Sequence, residues 1–460
     1  MDITDNVNRY AVLATMTLGG LLTPLMGSSI TVALPTIGKE FELNAVALSW
    51  VAASYLLSAS MFLVPFGRIA DIYGRKRIFK YGTLLYTIGS LLSALSHSVG
   101  ALITYRVIQG IGGSMIFGTS VAIITSVFPS GERGKAIGIN TSAVYLGLSI
   151  GPFLGGFMTE YFGWRSLFLL NFFIGIVIII LYSIALKGEW AESKGEKIDF
   201  IGSGIYGISL VLLMYGFSRL PSTVGFSSIT GGIIGLLFFF RLESRIPNPV
   251  INITLFKTNH LFTYSNIAAF INYAATSATG FLMSLYLQYI KGFSPQDTGL
   301  ILVTQPIVMM VFSAAAGWLS DKIESRIIAS FGMIISAASL LLFIFITENS
   351  PLYFIISALA LLGFGIALFA SPNTNAIMSS VEKKYYGVAS ATVGTMRLTG
   401  QMISIGIATL IFSLLMGTAQ ISPENHGAFL ESIKTAFSIF AVLCFIGIFA
   451  SLARGNKNKN

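Results

Sequence analysis

The sequence predicts an all-α protein that crosses a membrane many times, and three observations carry the prediction. Hydrophobic residues make up 54% of the chain and charged residues 10%, against roughly 25% charged in soluble domains. So few charges do not cover a water-soluble body of 460 residues. Runs of about 20 mostly apolar residues, the length a helix needs to cross a bilayer, recur along the whole chain. The basic residues fall in short loops between these runs, and chiefly in alternate loops.

Fourteen such runs follow in order. The first residues are polar, with Asp2, Asp5 and Arg9. They lack the basic start and small-residue cleavage site of a signal peptide, so 10–34 reads as the first span. Glu40 and Glu42 part it from 45–67, and Arg75-Lys76-Arg77 precedes 78–97. Spans 99–128 and 137–158 flank Glu132, Arg133 and Lys135, and Trp164-Arg165 opens 164–186. The polar loop from Lys187 to Lys197 precedes 199–219, which only Leu220-Pro221-Ser222 parts from 223–241. A charged stretch at 242–259 then leads to 260–290, 296–320, 327–347, 351–379, 388–416 and 431–453. Gln305-Pro306 and Pro372 predict bends in this last set.

An even count puts both termini on one face. With them inside, the inner segments hold 21 of the lysines and arginines, and the outer segments hold 5. This asymmetry orients the chain with cytoplasmic termini in the cell membrane. It also accounts for a net charge of +9 without any basic face, which argues against nucleic acid as a partner. The single cysteine, Cys444, lies in an apolar run, which leaves no intramolecular disulfide and no Cys-based metal site. No spacing predicts a metal or a cofactor, and the short loops offer no enzyme site. The expected partners are a small-molecule substrate and the surrounding membrane lipids, and the chain reads as a monomer.

The chain repeats itself. Gly67-Arg68-Ile69-Ala70-Asp71 follows the second span, and Gly317-Trp318-Leu319-Ser320-Asp321 follows the tenth. The two aspartates are 250 residues apart, more than six spans require. Six spans, two extra and six more explain the spacing. The predicted divisions are 1–186, a linker at 187–198, the extra pair at 199–241, a linker at 242–259, the second six spans at 260–453, and a tail at 454–460. Parallel repeats of this kind are a transporter architecture.

The Gly67–Arg77 loop resembles the signature between the second and third spans of the major facilitator superfamily. Leu102, Arg106, Gln109, Gly110, Gly112 and Gly113 resemble the family's fourth-span motif. Gly147, Gly151, Pro152, Gly155 and Gly156 resemble its fifth-span motif, associated with antiporters. Ala33-Leu34-Pro35 and Gly163-Trp164-Arg165 look like the fourteen-span drug:proton antiporter branch. The resemblance covers essentially the whole chain. It implies a major-facilitator-type fold, with two six-helix bundles plus two extra spans between them. It further implies a secondary transporter that works by alternating access and exports small amphipathic compounds or drugs in exchange for protons.

Each motif suggests a role. A carboxylate at the inner end of a span, such as Asp71, can bind the positive start of a helix. The resemblance implies that Asp71 docks on the start of span thirteen, Gly387 to Ser390, and helps to hold the outward-facing state, with Asp321 as its repeat. Gly67 would allow close backbone approach there, as would Gly317 in the repeat. Gly74 and Arg75 complete the loop, and Arg133 is a candidate charge partner. The plainer reading is a solvated loop whose charges only set topology, and it is stronger for Arg75. In the fifth-span motif, Pro152 removes a backbone donor and the glycines allow close helix contact, making a packing joint.

Arg106 and Arg397 lie within spans, where an arginine costs about 2.5–3.5 kcal/mol on insertion scales. Each is therefore expected to face a watery cavity or a polar partner. Twelve neutral polar groups accompany them: Gln109, Asn140, Tyr145, Asn171, Asn266, Asn272, Tyr273, Gln288, Gln305, Asn373, Asn375 and Gln401. Singly, each is more often glue between helices than a ligand contact. With Met26, Met309 and Phe281 they suggest an adaptable, uncharged cavity faced by about a third of them.

None of the 19 carboxylates lies deep in a span. The resemblance places a proton-carrying carboxylate near Met26, and there is none. Three routes remain open: Asp71 or an outer acid such as Glu160 carries the proton, another coupling ion replaces it, or substrate moves down its own gradient. The alternative function is an exporter or facilitator of an endogenous metabolite or lipid-like molecule without proton coupling. Arg106 cannot carry the proton, because guanidinium does not deprotonate in proteins. It can attract an anionic group.

Overall fold

Asn8 starts the first helix by accepting the Ala11 amide at 3.2 Å, and α1 runs from Arg9 to Glu40. The computed structural model describes residues 8–129, 132–185, 195–196, 198–246, 249–251, 253–382 and 386–454, apart from the side chains of Ala185, Asp321 and Gly387. Most of the 187–198 linker and all of the tail beyond Arg454 lie outside the described residues. Asn44 caps α2, Ala45–Tyr73, at 2.8 Å. Gly74, at φ 118°, turns the chain into α3, Arg75–Ala94, a conformation that a residue with a Cβ rarely adopts. Ser98 caps α4, Val99–Val127, and α5 and α6 cover Arg133–Phe162 and Arg165–Ala185. Asp199 and Ser222 cap the next pair, α7 (Phe200–Arg219) and α8 (Thr223–Glu243).

A short helix, α9 (Ile253–Thr258), lies in the expected linker, followed by α10 (His260–Thr276) and α11 (Thr279–Leu285). A π-helical turn, Tyr286–Ile290, extends α11. Then come α12 (Pro295–Leu302), α13 (Thr304–Lys322), α14 (Ser325–Ile344), α15 (Leu352–Ser379), α16 (Tyr386–Leu415) and α17 (His426–Leu452). The break between α12 and α13 falls at Val303. Pro306 has no amide to bond the Leu302 carbonyl, so the bend expected at Gln305-Pro306 opens one turn earlier. At Pro372 the helix continues unbroken.

Among the described residues, twelve helices are long and apolar enough to cross a membrane, not the fourteen expected. The difference lies in two runs. Expected span 78–97 falls on α3, whose first turns carry Arg75, Lys76, Arg77 and Lys80 and dilute its apolar character. Expected span 260–290 is broken at Ser277-Ala278 into α10 and α11, each short.

Helices α1–α6 pack on one another, chiefly α1 on α5, α3 on α4 and α2 on α4, and α10–α17 form a second group. The pair α7–α8 lies beside both, with α7 on α2 of the first group and α16 of the second. Asn44 bridges Gln420, so the loops after α1 and before α17 share one end, called distal here. The described ends of the chain lie at the other, proximal, end.

Candidate functional site

A cavity of about 280 Å³ lies between the two helix groups. α1, α2, α4 and α5 line it from one side with Thr23, Ser28, Tyr55, Arg106, Phe117 and Tyr145. From the other side α10, α11, α13 and α16 contribute Tyr273, Phe281, Gln305, Met309, Arg397 and Gln401. Of the twelve neutral polar residues singled out in the sequence, Tyr145, Tyr273, Gln305 and Gln401 are in this lining. No carboxylate is among the lining residues. The wall carries five aromatic rings, two side-chain amides and two guanidiniums.

The two arginines differ. Arg106 is 1% exposed, although it belongs to the lining. Its Nη1 donates to Gln109 Oε1 at 2.7 Å, and its guanidinium lies 4.8 Å from the Tyr55 ring centroid. Gln109 in turn donates to Ser90 Oγ at 2.8 Å, anchoring the arrangement on α3. Arg397 is half-buried, sits 5.0 Å from the Phe117 ring centroid, and leaves its Nε without a partner. A cation over an aromatic face is favourable electrostatically, so neutral groups hold both charges, with Arg106 enclosed and Arg397 partly open.

Three expected cavity residues fall elsewhere. Gln109 is fully buried behind Arg106. Met26 is also buried, and its sulfur accepts a hydrogen bond from Asn171 at 3.2 Å. Asn272 is enclosed in α10 with both side-chain polar atoms unpartnered. Residue type marks these as polar or soft within a span, but it does not say which helix face they occupy.

At the proximal end of the first group, Arg75 Nε donates to Asp71 Oδ1 at 2.9 Å. Arg75 Nη1 also donates to Ser126 Oγ at 2.8 Å, tying α3 to the end of α4. Asp71 therefore meets its own loop, where the resemblance had placed it on the start of α16. Arg133 donates to the Phe128 carbonyl at 2.8 Å, so its expected pairing with Asp71 is replaced by a cap on its own loop. Gly67 does not make the expected close approach, for a Cβ there would meet nothing within 4 Å. A Cβ on Gly317 would lie 2.9 Å from Ser371 Oγ. The Asp321 side chain lies outside the described residues.

The fifth-span glycines form a seam. Ser29 Oγ on α1 donates to the Gly151 carbonyl at 2.8 Å, and Ser28 Oγ to that of Gly147 at 3.2 Å. A Cβ on Gly155 would lie 2.6 Å from the Ser29 carbonyl oxygen. One face further round, Gly156 packs on the Pro295 carbonyl and Pro152 on Gly299, both in α12. The motif therefore packs α5 on α1 within its own group and on α12 across the cavity.

Further distal contacts join the groups and were not foreseen from sequence. Gln288 Nε2 donates to the Val32 carbonyl at 2.8 Å, and Tyr289 Oη to that of Pro35 at 3.3 Å. Gln420 Nε2 donates to the Glu42 carbonyl at 2.8 Å. Nearby, Glu40 accepts Trp164 Nε1 at 2.6 Å and two Arg165 nitrogens at 2.7 and 2.9 Å, which gives Trp164-Arg165 a structural partner.

The profile of the Major Facilitator Superfamily matches residues 16–245 and 266–459. The chain is 30% identical over 440 residues to the riboflavin transporter RibZ of Clostridioides difficile (strain 630), covering 96% of each chain. It is 29% identical to the multidrug resistance protein Stp of Mycobacterium tuberculosis (strain CDC 1551 / Oshkosh), covering 93% of this chain and 80% of that one. Its fold matches the crystal structure of a bacterial homologue of the human lysosomal transporter Spinster, inward-facing and unoccupied, with a TM-score of 0.70, 17% identity and 97% of each chain covered. These relatives are membrane transporters, not enzymes. Together with the two helix groups and their shared cavity, the match along nearly the whole chain shows that this protein belongs to the major facilitator superfamily.

Proposed function

We propose that the protein is an exporter of small, neutral or anionic amphipathic compounds, working by alternating access in the plasma membrane with both termini cytoplasmic. The observation that carries this reading is the cavity between the helix groups, aromatic, bearing Arg106 and Arg397 and no carboxylate. Tyrosine and phenylalanine faces suit a planar, apolar body, and the guanidiniums suit a negative or electron-rich edge. A relative named as a riboflavin transporter favours a planar metabolite as a second reading of the same cavity. The α3 and α10–α11 segments are helical and packed inside the bundle. We count them as spans, which gives fourteen, arranged as two six-helix bundles with α7–α8 inserted.

The distal contacts and the Asp71–Arg75 pairing support a state in which the cavity opens to the proximal, cytoplasmic side. Coupling to protons is weak or absent, because no lining residue is a carboxylate that could trade a proton for substrate. Proteoliposomes under an imposed pH gradient at zero membrane potential test this. The expected result is downhill flux of neutral and anionic aromatic compounds, nearly indifferent to the gradient, and little flux of dications. Uphill movement driven by the gradient, or a preference for dications, overturns it.

A further inference from the structure

The inserted pair ends at the proximal face in two carboxyls whose surroundings the transport reading does not use. Asp199 caps α7, its Oδ1 accepting the Gly202 amide at 2.9 Å. Glu243 closes α8, two residues beyond the apolar run 223–241, and is 2% exposed. Its Oε2 accepts the Ile251 amide at 2.9 Å, from the chain that leads to the second helix group. The other two oxygens, Asp199 Oδ2 and Glu243 Oε1, are buried and have no donor. They converge on one point, for a Cβ on Gly202 would contact both, Glu243 Oε1 at 2.6 Å. The two unpartnered oxygens therefore face the same position over Gly202.

Two ionised carboxylates in that arrangement repel each other, and a buried acceptor without a donor is costly. The elements packed on the pair supply no relief. Arg68 on α2 engages Glu196 of the preceding loop, and Asp71 on α2 engages Arg75. Arg397 on α16 lies over Phe117, and Arg241 and Arg245 at the end of α8 are exposed. Among the described residues, no cation donates to either carboxyl. A metal is a poor solution too, since two free oxygens fall short of the six or so ligands that Mg²⁺ or Ca²⁺ needs.

We infer that Asp199 and Glu243 form a proton-binding site, holding one proton between Asp199 Oδ2 and Glu243 Oε1. The proton makes one carboxyl a donor and the other its acceptor, which satisfies both orphaned atoms. It is taken up from the proximal side and fastens the start of α7 to the end of α8 and to the Ile251 segment. Neither residue lines the cavity, so this proton is not exchanged for substrate. It is regulatory. α7 touches both helix groups, with Tyr206 Oη 3.2 Å from Thr399 Oγ1 of α16 and Met61 of α2 against Gly207. Loss of the proton therefore loosens a helix pair that spans the seam. The inference does not rest on the identity of the substrate.

The sign of the linkage follows. The folded chain keeps this proton to higher pH than the separated carboxyls of the unfolded chain. The stability it confers is fully present below the ordinary carboxylate range and falls as pH rises through the titration of the pair. Infrared difference spectra of the full-length protein in nanodiscs, between about pH 5 and about pH 9, read the carbonyl stretch of a protonated carboxyl. The expected result is one band, lost on the alkaline side and absent at every pH from both Glu243→Gln and Asp199→Asn. Asparagine keeps the cap, and glutamine donates to Asp199 while still accepting the Ile251 amide. Glu243→Gln should also abolish the alkaline fall in melting temperature; if one variant misfolds, the other decides. A band untouched by either substitution, or no protonated carboxyl above about pH 5, overturns the inference. Loss of the band on adding Na⁺, K⁺, Mg²⁺ or Ca²⁺ at constant pH overturns it as well, making the pair a cation site.

Discussion

Arg106 and Arg397 are the same residue type in one cavity, yet their partners give them different work. Arg106 is locked by Gln109 and the Tyr55 ring and is almost wholly enclosed, so it shapes the wall and its potential. Arg397 is half-buried and belongs to the cavity lining, so its guanidinium is the one of the two that a ligand can meet. A hydrogen bond to a charged group contributes about 1.5–3 kcal/mol. Arg397→Gln should therefore weaken binding of an anionic aromatic compound about tenfold or more while leaving a neutral analogue nearly unchanged. Binding to the purified protein checks this, and equal losses for both ligands would reduce Arg397 to a packing role. Both arginines were legible in the sequence, because an arginine inside a span needs a reason. Gln109, Asn272 and Met26 were not, because burial on the far side of a helix leaves no trace in residue type. Glu243 was missed for a related reason. It falls in the charged stretch that follows the eighth span, and only the return of the chain at Ile251 buries it.

At the scale of the element, α5 shows how a spacing becomes a surface. Gly147, Gly151 and Gly155 recur at four-residue intervals and so lie along one face, against α1. A methyl on Gly155 would press on the Ser29 carbonyl oxygen, carbon and Cα, at 2.6 to 3.0 Å, and backbone cannot step aside. Gly138, on the same helix, has nothing within 4 Å of a Cβ. Gly155→Ala should destabilise by about 1–3 kcal/mol through overpacking. Gly138→Ala should stabilise by up to ~1 kcal/mol through helix propensity. Melting in detergent micelles distinguishes the two, and a neutral Gly155→Ala would mean that α1 and α5 can part at no cost. This joint, like most helices, could be read from the sequence, because apolar length and glycine spacing are local signals. The break at Ser277-Ala278 and the partner of Gly156 on α12 could not. Both depend on which helices meet across the cavity.

For the whole molecule, the question is what holds the two helix groups in the arrangement seen. Three of their described bonds lie at the distal end, Gln288 to Val32, Tyr289 to Pro35 and Gln420 to Glu42, and midway along α5 Ser149 Oγ donates to the Pro306 carbonyl of α13 at 3.2 Å. Together with α5 against α12, they form the closed side of the alternating-access cycle proposed for this chain. The Asp71–Arg75 pair stays within the first group, consistent with a docking contact that forms only when the other side closes. A typical hydrogen bond contributes about 0.5–1.5 kcal/mol, so removing two shifts a two-state balance by roughly tenfold. The double variant Gln288→Ala, Tyr289→Phe keeps the apolar packing of both helices and deletes both donors. Spin labels at Ser98 and Asn349, in distal loops of the two groups, report the gap in a Cys444→Ala background. That replacement removes the only native thiol, which is buried and donates to the Met333 carbonyl. The expected result is a longer distance population that grows at the expense of the short one, and faster labelling of cavity residues from the distal side. Unchanged distances in a folded double variant would move the latch elsewhere, to the Gln420–Glu42 bond or to the contacts of α5 with α12 and α13. A shift to shorter distances would mean that these bonds form in both states and do not select between them.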